Sequence, residues 1–265
     1  MNDPEVAELY YKFVSDNPND LFDSAKPIDF SKQGFDFHLE NGVLTVRPQN
    51  KYPNADIAKN ELEPLLRAWE LSAFISSSHH RIRFVFEDAN IIDLNPDPNT
   101  HDATISLGSA YMVAVAENVT LSVNNSSYPD LENNYTASAL TDELVTRLKQ
   151  MQDQREHPTT VAYYILDKLG KVIAKKTKNR KNKRKGLAKE LKIDWDVLDI
   201  LGDIANKTDP LMGRHADIDV RPLNPEEKSW LEQVSFRLVA RIAEYDKDPE
   251  NLKPITLKDF PILPD

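Results

Sequence analysis

Cysteine is absent from the 265-residue chain. Its absence excludes disulfides, zinc–cysteine sites, iron–sulfur clusters and catalysis by a thiol. Long apolar runs are also missing, since no stretch approaches the ~18 consecutive apolar residues of a membrane-spanning helix. The first residues, Met1-Asn-Asp-Pro-Glu-Val6, do not have the charged-then-apolar order of a secretory signal. We therefore expect a cytoplasmic protein that does not enter membranes.

Positive charge is scarce over most of the chain. The formal net charge is −10, which argues against general attraction to nucleic acid. The window from Lys168 to Lys192 is the exception, because it holds 12 Lys or Arg and one acid, Glu190. That window carries +11 and the other residues together carry −21. This asymmetry predicts a local basic patch or loop in an otherwise acidic protein.

The spacing of apolar residues predicts two helices near the N-terminus. Residues 4–22 place Val6, Leu9, Tyr10 and Phe13 at helical spacing, which predicts a short amphipathic helix. A longer helix is predicted at residues 54–75. Its broad apolar stripe consists of Leu62, Leu65, Leu66, Trp69 and Phe74.

Strand patterns fill the rest of residues 1–130. Asn41-Gly42 separates two apolar runs, 35–39 and 43–46, which predicts a hairpin with a type I′ turn. Short runs rich in β-branched and aromatic residues predict further strands at 81–86, 90–92, 103–107, 111–115 and 119–123. We expect a mainly antiparallel sheet of about six or seven strands with the long helix packed on one face. The predicted fold class is therefore α+β.

A change of composition predicts a second domain. Residues 124–134 are rich in Asn, Ser and Pro, and the strand pattern does not return after them. We expect an α+β sheet domain at 1–130 and an all-α helical domain at 131–265. Helices are predicted at 138–156, from 159, at 194–206, and from Asn224-Pro225-Glu226-Glu227, which has the residues of an N-terminal cap. The proline-punctuated C-terminal tail is expected to lie extended across the surface or across a partner.

The basic run at residues 175–186 has no apolar or aromatic side chain, which predicts a loop or a frayed helix end. One interpretation is a solvated linker. The other is contact with the phosphate backbone of RNA or DNA, without stacking on bases, because no aromatic residue is interleaved. The candidate phosphate-binding residues are Lys175, Lys176, Lys178, Arg180, Lys181, Lys183, Arg184 and Lys185.

Residues 187–201 have the apolar spacing of a helix-turn-helix, with Lys192 where the turn usually has glycine. The second helix would carry four acids, namely Asp194, Asp196, Asp199 and Asp203. These carboxylates would face the phosphates of a duplex. We therefore expect a helix-turn-helix shape that does not read a DNA groove.

The segment from Leu201 to His215 ends in an Arg-His pair. Arg214 could stabilise a developing phosphate charge while His215 acts as acid or base near neutral pH, which is metal-independent RNA cleavage chemistry. Alternatively, the pair could hold the turn in place by bonding Asp217 and Asp219. Both interpretations remain open at the level of sequence.

Several of these residues resemble segments of other proteins. Ala205-Asn206 with Gly213-Arg214-His215-Ala216, and Glu61-Leu-Glu-Pro-Leu-Leu-Arg-Ala-Trp69, resemble signatures of two-domain prokaryotic proteins of unknown function. Residues 140–246 are similar to HEPN domains, the all-helical modules of toxin–antitoxin and phage-defence systems. That resemblance implies a dimeric ribonuclease using Arg214 and His215. HEPN nucleases separate this Arg and His by several residues, whereas here the two are adjacent.

No complete catalytic constellation can be assembled from these residues. We expect a non-enzymatic binding or regulatory protein without a cofactor or metal, which self-associates through its helical domain or binds a protein partner. One alternative is a HEPN-like metal-independent ribonuclease of a toxin or defence system. The other is a nucleic-acid-binding protein that uses the lysine-rich loop.

Overall fold

The computed structural model describes residues 3–16, 20–75, 80–95, 123–131, 135–173, 180–207 and 221–261. The chain divides into two compact units, Met1–Glu132 and Asn133–Asp265. The described part of the first unit is an antiparallel sheet with one helix, and that of the second is helical. The predicted α+β fold class is therefore confirmed.

The first unit is built on a five-stranded sheet whose neighbouring strands are all antiparallel. Its strands, in the order β3-β4-β5-β1-β6, are β3 (Ile28–Lys32), β4 (Phe35–Glu40), β5 (Val43–Pro48), β1 (Pro4–Ser15) and β6 (Ile82–Asp93). Two short strands, β2 (Asp20–Leu21) and β7 (Val123–Asn124), form a separate parallel pair.

The helix predicted at residues 4–22 is wrong, because this segment contains strand β1, which lies between β5 and β6 in the sheet. Between Val6 and Glu8 the register with β6 shifts by one residue, so Ala7 is a bulge. The bulge places Val6 and Leu9 on the same buried face, three positions apart. From Leu9 onwards the buried positions alternate normally, with Tyr11 and Phe13. The bulge therefore gives the buried residues of β1 a three-residue spacing, which is typical of a helix.

The predicted hairpin is confirmed. Strands β4 and β5 pair up to Glu40 and Val43, which leaves Asn41-Gly42 as the two-residue turn. Both turn residues have positive φ, 49° at Asn41 and 74° at Gly42. These values are those of a type I′ turn, which both residues adopt at little cost.

The strands predicted at 81–86 and 90–92 are one continuous strand, β6. Its register with β1 skips Glu87, and this second bulge interrupts the apolar alternation on which the prediction relied. The strands predicted at 103–107 and 111–115 lie outside the described residues. So does the strand predicted at 119–123, apart from Val123.

The long helix predicted at residues 54–75 is confirmed as α1 (Ala55–Ile75). Together with the sheet it forms the core of the first unit. Trp69 is fully buried and belongs to the same apolar cluster as Leu9, Leu39 and Leu44 of the strands. Its indole Nε1 donates a hydrogen bond to the carbonyl of Pro129 at 2.7 Å. The buried indole therefore keeps a polar partner.

The second unit contains five α-helices in the residues described, followed by a 3-10 turn at Leu257–Asp259. The α-helices are α2 (Ala139–Gln152), α3 (Pro158–Val172), α4 (Arg180–Glu190), α5 (Trp195–Lys207) and α6 (Pro225–Lys247). The predicted cap of α6 is confirmed. The side chain of Asn224 accepts from the backbone N–H of Glu227, and the Glu227 carboxylate accepts from the backbone N–H of Asn224. Among the helices of the described residues, none is both long and apolar enough to cross a membrane.

The structure describes parts of two segments for which the sequence predicted irregular structure, namely the basic run and the C-terminal tail. Residues 180–186 of the basic run, where a loop or a frayed helix end was predicted, begin helix α4. The buried side chain of Leu187 anchors this helix, together with that of Leu191 directly after it. The C-terminal tail, as far as residue 261, packs on its own unit. Ile255 is buried and forms a bridge with Ile193, and Phe260 contacts Trp230 with 6.0 Å between ring centroids.

Candidate nucleic-acid interface

Helix α4 carries the described part of the basic run and packs against α3 and α5. Leu187, Ala188 and Leu191 are buried and attach the helix to the unit. Lys185 and Lys189 are exposed. Since residues four apart lie above one another on a helix, these two lysines share one solvent-facing side. The helix therefore presents two cations about one turn apart.

Trp195 adds an aromatic ring to this basic surface. It is the first residue of α5 and is half-buried. The Nζ of Lys185 lies 5.9 Å from the centroid of its ring, which is within the range of a cation–π contact. Trp195 was not predicted from the sequence, because it lies beyond the turn and outside the basic run.

The turn at residues 191–194 produces this juxtaposition, because it joins α4 to α5 and the two helices contact each other. Lys192 has a positive φ of 50°, a conformation for which glycine is the usual choice. Its Nζ donates a hydrogen bond to the carbonyl of Glu250 at 2.7 Å. The predicted helix-turn-helix shape is therefore confirmed, with Lys192 in the position normally taken by glycine.

The acids of α5, and Asp194 directly before it, have different environments. Asp199 accepts from Nη1 of Arg184 at 3.4 Å, and the Arg184 side chain is only 13% exposed. Asp194, Asp196 and Asp203 are exposed. Negative charge therefore remains on the helix that adjoins the lysines, as the sequence predicts.

We define the basic surface as Lys185, Lys189 and Trp195. It contains one of the eight predicted phosphate-binding residues, Lys185, and Arg184 lies beside it. Arg180, Lys181 and Lys183 lie on α4, where the structure describes their backbone positions alone. Lys175, Lys176 and Lys178 lie outside the described residues, as do Arg214 and His215. The catalytic interpretation of Arg214 and His215 therefore stays a prediction.

One other polar cluster in the second unit, around Glu143, is a surface network. Glu143 accepts from Nζ of Lys168 at 2.7 Å and from the Tyr164 hydroxyl. These bonds lower the pKa of Glu143, and the bond to Glu143 raises the pKa of Tyr164. Both charged partners are about a third exposed, so the pair is a surface ion pair with a modest effect on stability.

The first unit has a comparable pair on the solvent-facing side of its sheet. His38 on β4 makes a 2.7 Å contact from Nδ1 to the Asp29 carboxylate, which raises the pKa of His38. Among the residues that the structure describes, no group of three or more His, Asp or Glu side chains is arranged to hold a metal ion.

No protein-family model, curated protein or solved structure matches the chain. Three inferences from the sequence therefore stay predictions: a HEPN-like helical domain, self-association, and binding of a protein partner. The local chemistry of the basic surface supplies the arguments for function.

Proposed function

We propose that the protein is a cytoplasmic, non-enzymatic binding protein whose helical unit holds single-stranded nucleic acid on the basic surface of α4. The observation that carries this proposal is the half-buried Trp195 beside the Lys185 ammonium. Proteins that bind single strands combine two features. Cationic side chains neutralise the phosphates, and an aromatic ring stacks on a base.

Lys185 and Lys189 support the electrostatic half of the proposal. Both are exposed in a protein whose net charge is −10. The acidic remainder of the protein would repel a polyanion, whereas the window from Lys168 to Lys192, which carries +11, would attract it. Binding by phosphate neutralisation releases counterions, so we expect affinity to fall steeply as salt is raised.

Single strands fit this surface better than duplexes. In a duplex the faces of the bases are stacked on each other, so Trp195 would have no free base to contact. Asp194 and Asp196 are exposed next to Trp195 and would lie close to the phosphates of a second strand. We therefore expect weaker binding to a duplex of the same length.

Fluorescence anisotropy of a labelled single-stranded RNA, titrated with the full chain at several salt concentrations, tests the proposal. We expect Lys185→Ala with Lys189→Ala to weaken binding and to reduce the slope of log K against log salt by about 0.7 for each phosphate that is no longer neutralised. Trp195→Ala should cost about 1–3 kcal/mol for each base that stacks, and Trp195→Phe should retain part of this.

The matched control removes two other exposed lysines, Lys12 and Lys228. It makes the same change in net charge and should leave the salt slope unaltered. The proposal fails if the chain does not bind at low salt, or if this control loses as much affinity as the α4 variant. Cleavage of the RNA by the pure protein, abolished in His215→Ala, would instead favour the ribonuclease alternative.

A further inference from the structure

Gly202 of α5 lies directly beneath the guanidinium of Arg184. A Cβ built on Gly202 would overlap with Nη1, Nη2 and Cζ of Arg184. Because glycine has no side chain, the guanidinium of Arg184 can occupy the space above residue 202. Any larger side chain at residue 202 would displace the guanidinium from the surface of α5.

The same guanidinium is held from the side by an acid. Its Nη1 lies 3.4 Å from Oδ1 of Asp199, and the Arg184 side chain is 13% exposed. Asp199 and Gly202 are three residues apart, so they lie on one side of α5. A carboxylate and an open patch of backbone together receive one cation from the neighbouring helix.

We infer that Arg184 is a positioning residue, whose guanidinium fits over Gly202 and beside Asp199 and thereby fixes α4 and its lysines against α5 and Trp195. Arg184 was predicted from sequence to contact phosphate. In this arrangement its charge is directed into the protein, whereas Lys185 and Lys189 face solvent. The consequence for ligand binding rests on the proposed function, but the packing role does not.

A double-mutant cycle on thermal unfolding of the full chain tests the packing role. Arg184→Ala should lower the midpoint, because it leaves Asp199 unpaired and the space over Gly202 empty. Gly202→Ala should raise the midpoint in the Arg184→Ala chain, because alanine is the better helix former. It should fail to raise the midpoint while Arg184 is present, because the new methyl group displaces the guanidinium. Equal effects of Gly202→Ala in both backgrounds would overturn the inference.

Quenching of tryptophan fluorescence by acrylamide tests the position of α4. Of the three tryptophans, Trp69 and Trp230 are buried, so the quencher reports mainly on Trp195. We expect Arg184→Ala and Gly202→Ala to change this quenching by similar amounts, with no further change in the double variant. Quenching that stays at the wild-type level in both single variants would contradict the inference.

The salt slope of RNA binding separates a positioning residue from a phosphate contact. We expect Arg184→Ala to lower affinity with the slope unchanged, since the slope counts only the cations that neutralise phosphates. A slope that falls by about 0.7 in this variant would make Arg184 a direct contact. If the wild-type chain binds no RNA, the proposed function fails, while the mutant cycle and the quenching still decide the role of Arg184.

Discussion

Arg241 donates a hydrogen bond from Nη1 to the backbone carbonyl of Leu191, 50 residues earlier in the chain, at 2.5 Å. Its Nη2 donates to the carbonyl of Lys253 at 2.5 Å, and its Nε donates to Glu244 at 2.7 Å. The side chain is completely buried, and this burial lowers the pKa of the guanidinium. One side chain of α6 therefore joins the α4–α5 turn to the C-terminal tail.

Replacing Arg241 should destabilise the helical unit strongly. Arg241→Ala leaves the carbonyls of Leu191 and Lys253 without this donor and opens a cavity, so we expect a loss of about 3 kcal/mol or more. Arg241→Lys should recover little of it, because an ammonium cannot reproduce the planar set of donors. Hydrogen exchange of the amides of α4 and α5 measures the loss where it should occur.

Arg237 provides the control for that experiment. It also pairs with Glu244, at 2.8 Å, but its side chain is 32% exposed. We expect Arg237→Ala to cost well under half as much, since a partly solvated pair contributes little. Equal losses for the two variants would show that the buried hydrogen bonds of Arg241 have no special role.

The β4–β5 turn gives a prediction for the first unit. Gly42 has a φ of 74°, and a Cβ added to it would meet no atom within 4 Å, so Gly42→Ala is opposed by backbone strain alone. We expect it to cost about 1–2 kcal/mol. Asn41→Gly should cost much less, because glycine adopts a positive φ readily. Chemical denaturation followed by circular dichroism measures both, and a neutral Gly42→Ala would contradict a type I′ turn.

The turn at Asn41-Gly42, the cap at Asn224 and strand β1 show which parts of the fold can be predicted from sequence. The Asn41-Gly42 turn and the Asn224 cap were both predicted correctly, because each depends on the chemistry of a few adjacent residues. Strand β1 was mistaken for a helix, because the bulge at Ala7 depends on its pairing with β6. A single segment carries no information about the register of a distant partner.

The candidate site was only partly predictable for a similar reason. Lys185 was identified from the local density of charge. Trp195 was missed because its proximity to Lys185 depends on the turn at Lys192, and the position of Arg184 depends on the absence of a side chain at Gly202. The helix-turn-helix spacing of residues 187–201 was the available signal that α4 and α5 pack together.

Glu227 gives a prediction about acid stability. Its side chain is 8% exposed, and its carboxylate accepts a hydrogen bond from Nη1 of Arg221 at 2.7 Å. The hydrogen bonds from Arg221 lower the pKa of Glu227 from the usual 4.5 more than any other contact does. Because the pKa is lower in the folded state, this group stabilises the fold above about pH 4.5. The stabilisation is lost as pH falls through the folded-state pKa.

Glu227→Gln removes the charge and retains a side chain that can cap the helix. We expect it to lower the free energy of unfolding by about 1–3 kcal/mol at neutral pH and to reduce the loss of stability on acidification. Glu226 is exposed one position earlier, so Glu226→Gln should leave the pH profile close to that of the wild type. Denaturant unfolding from about pH 3 to pH 7 compares the three chains. A Glu227→Gln profile parallel to the wild type would show that the Arg221 pair does not contribute to acid sensitivity.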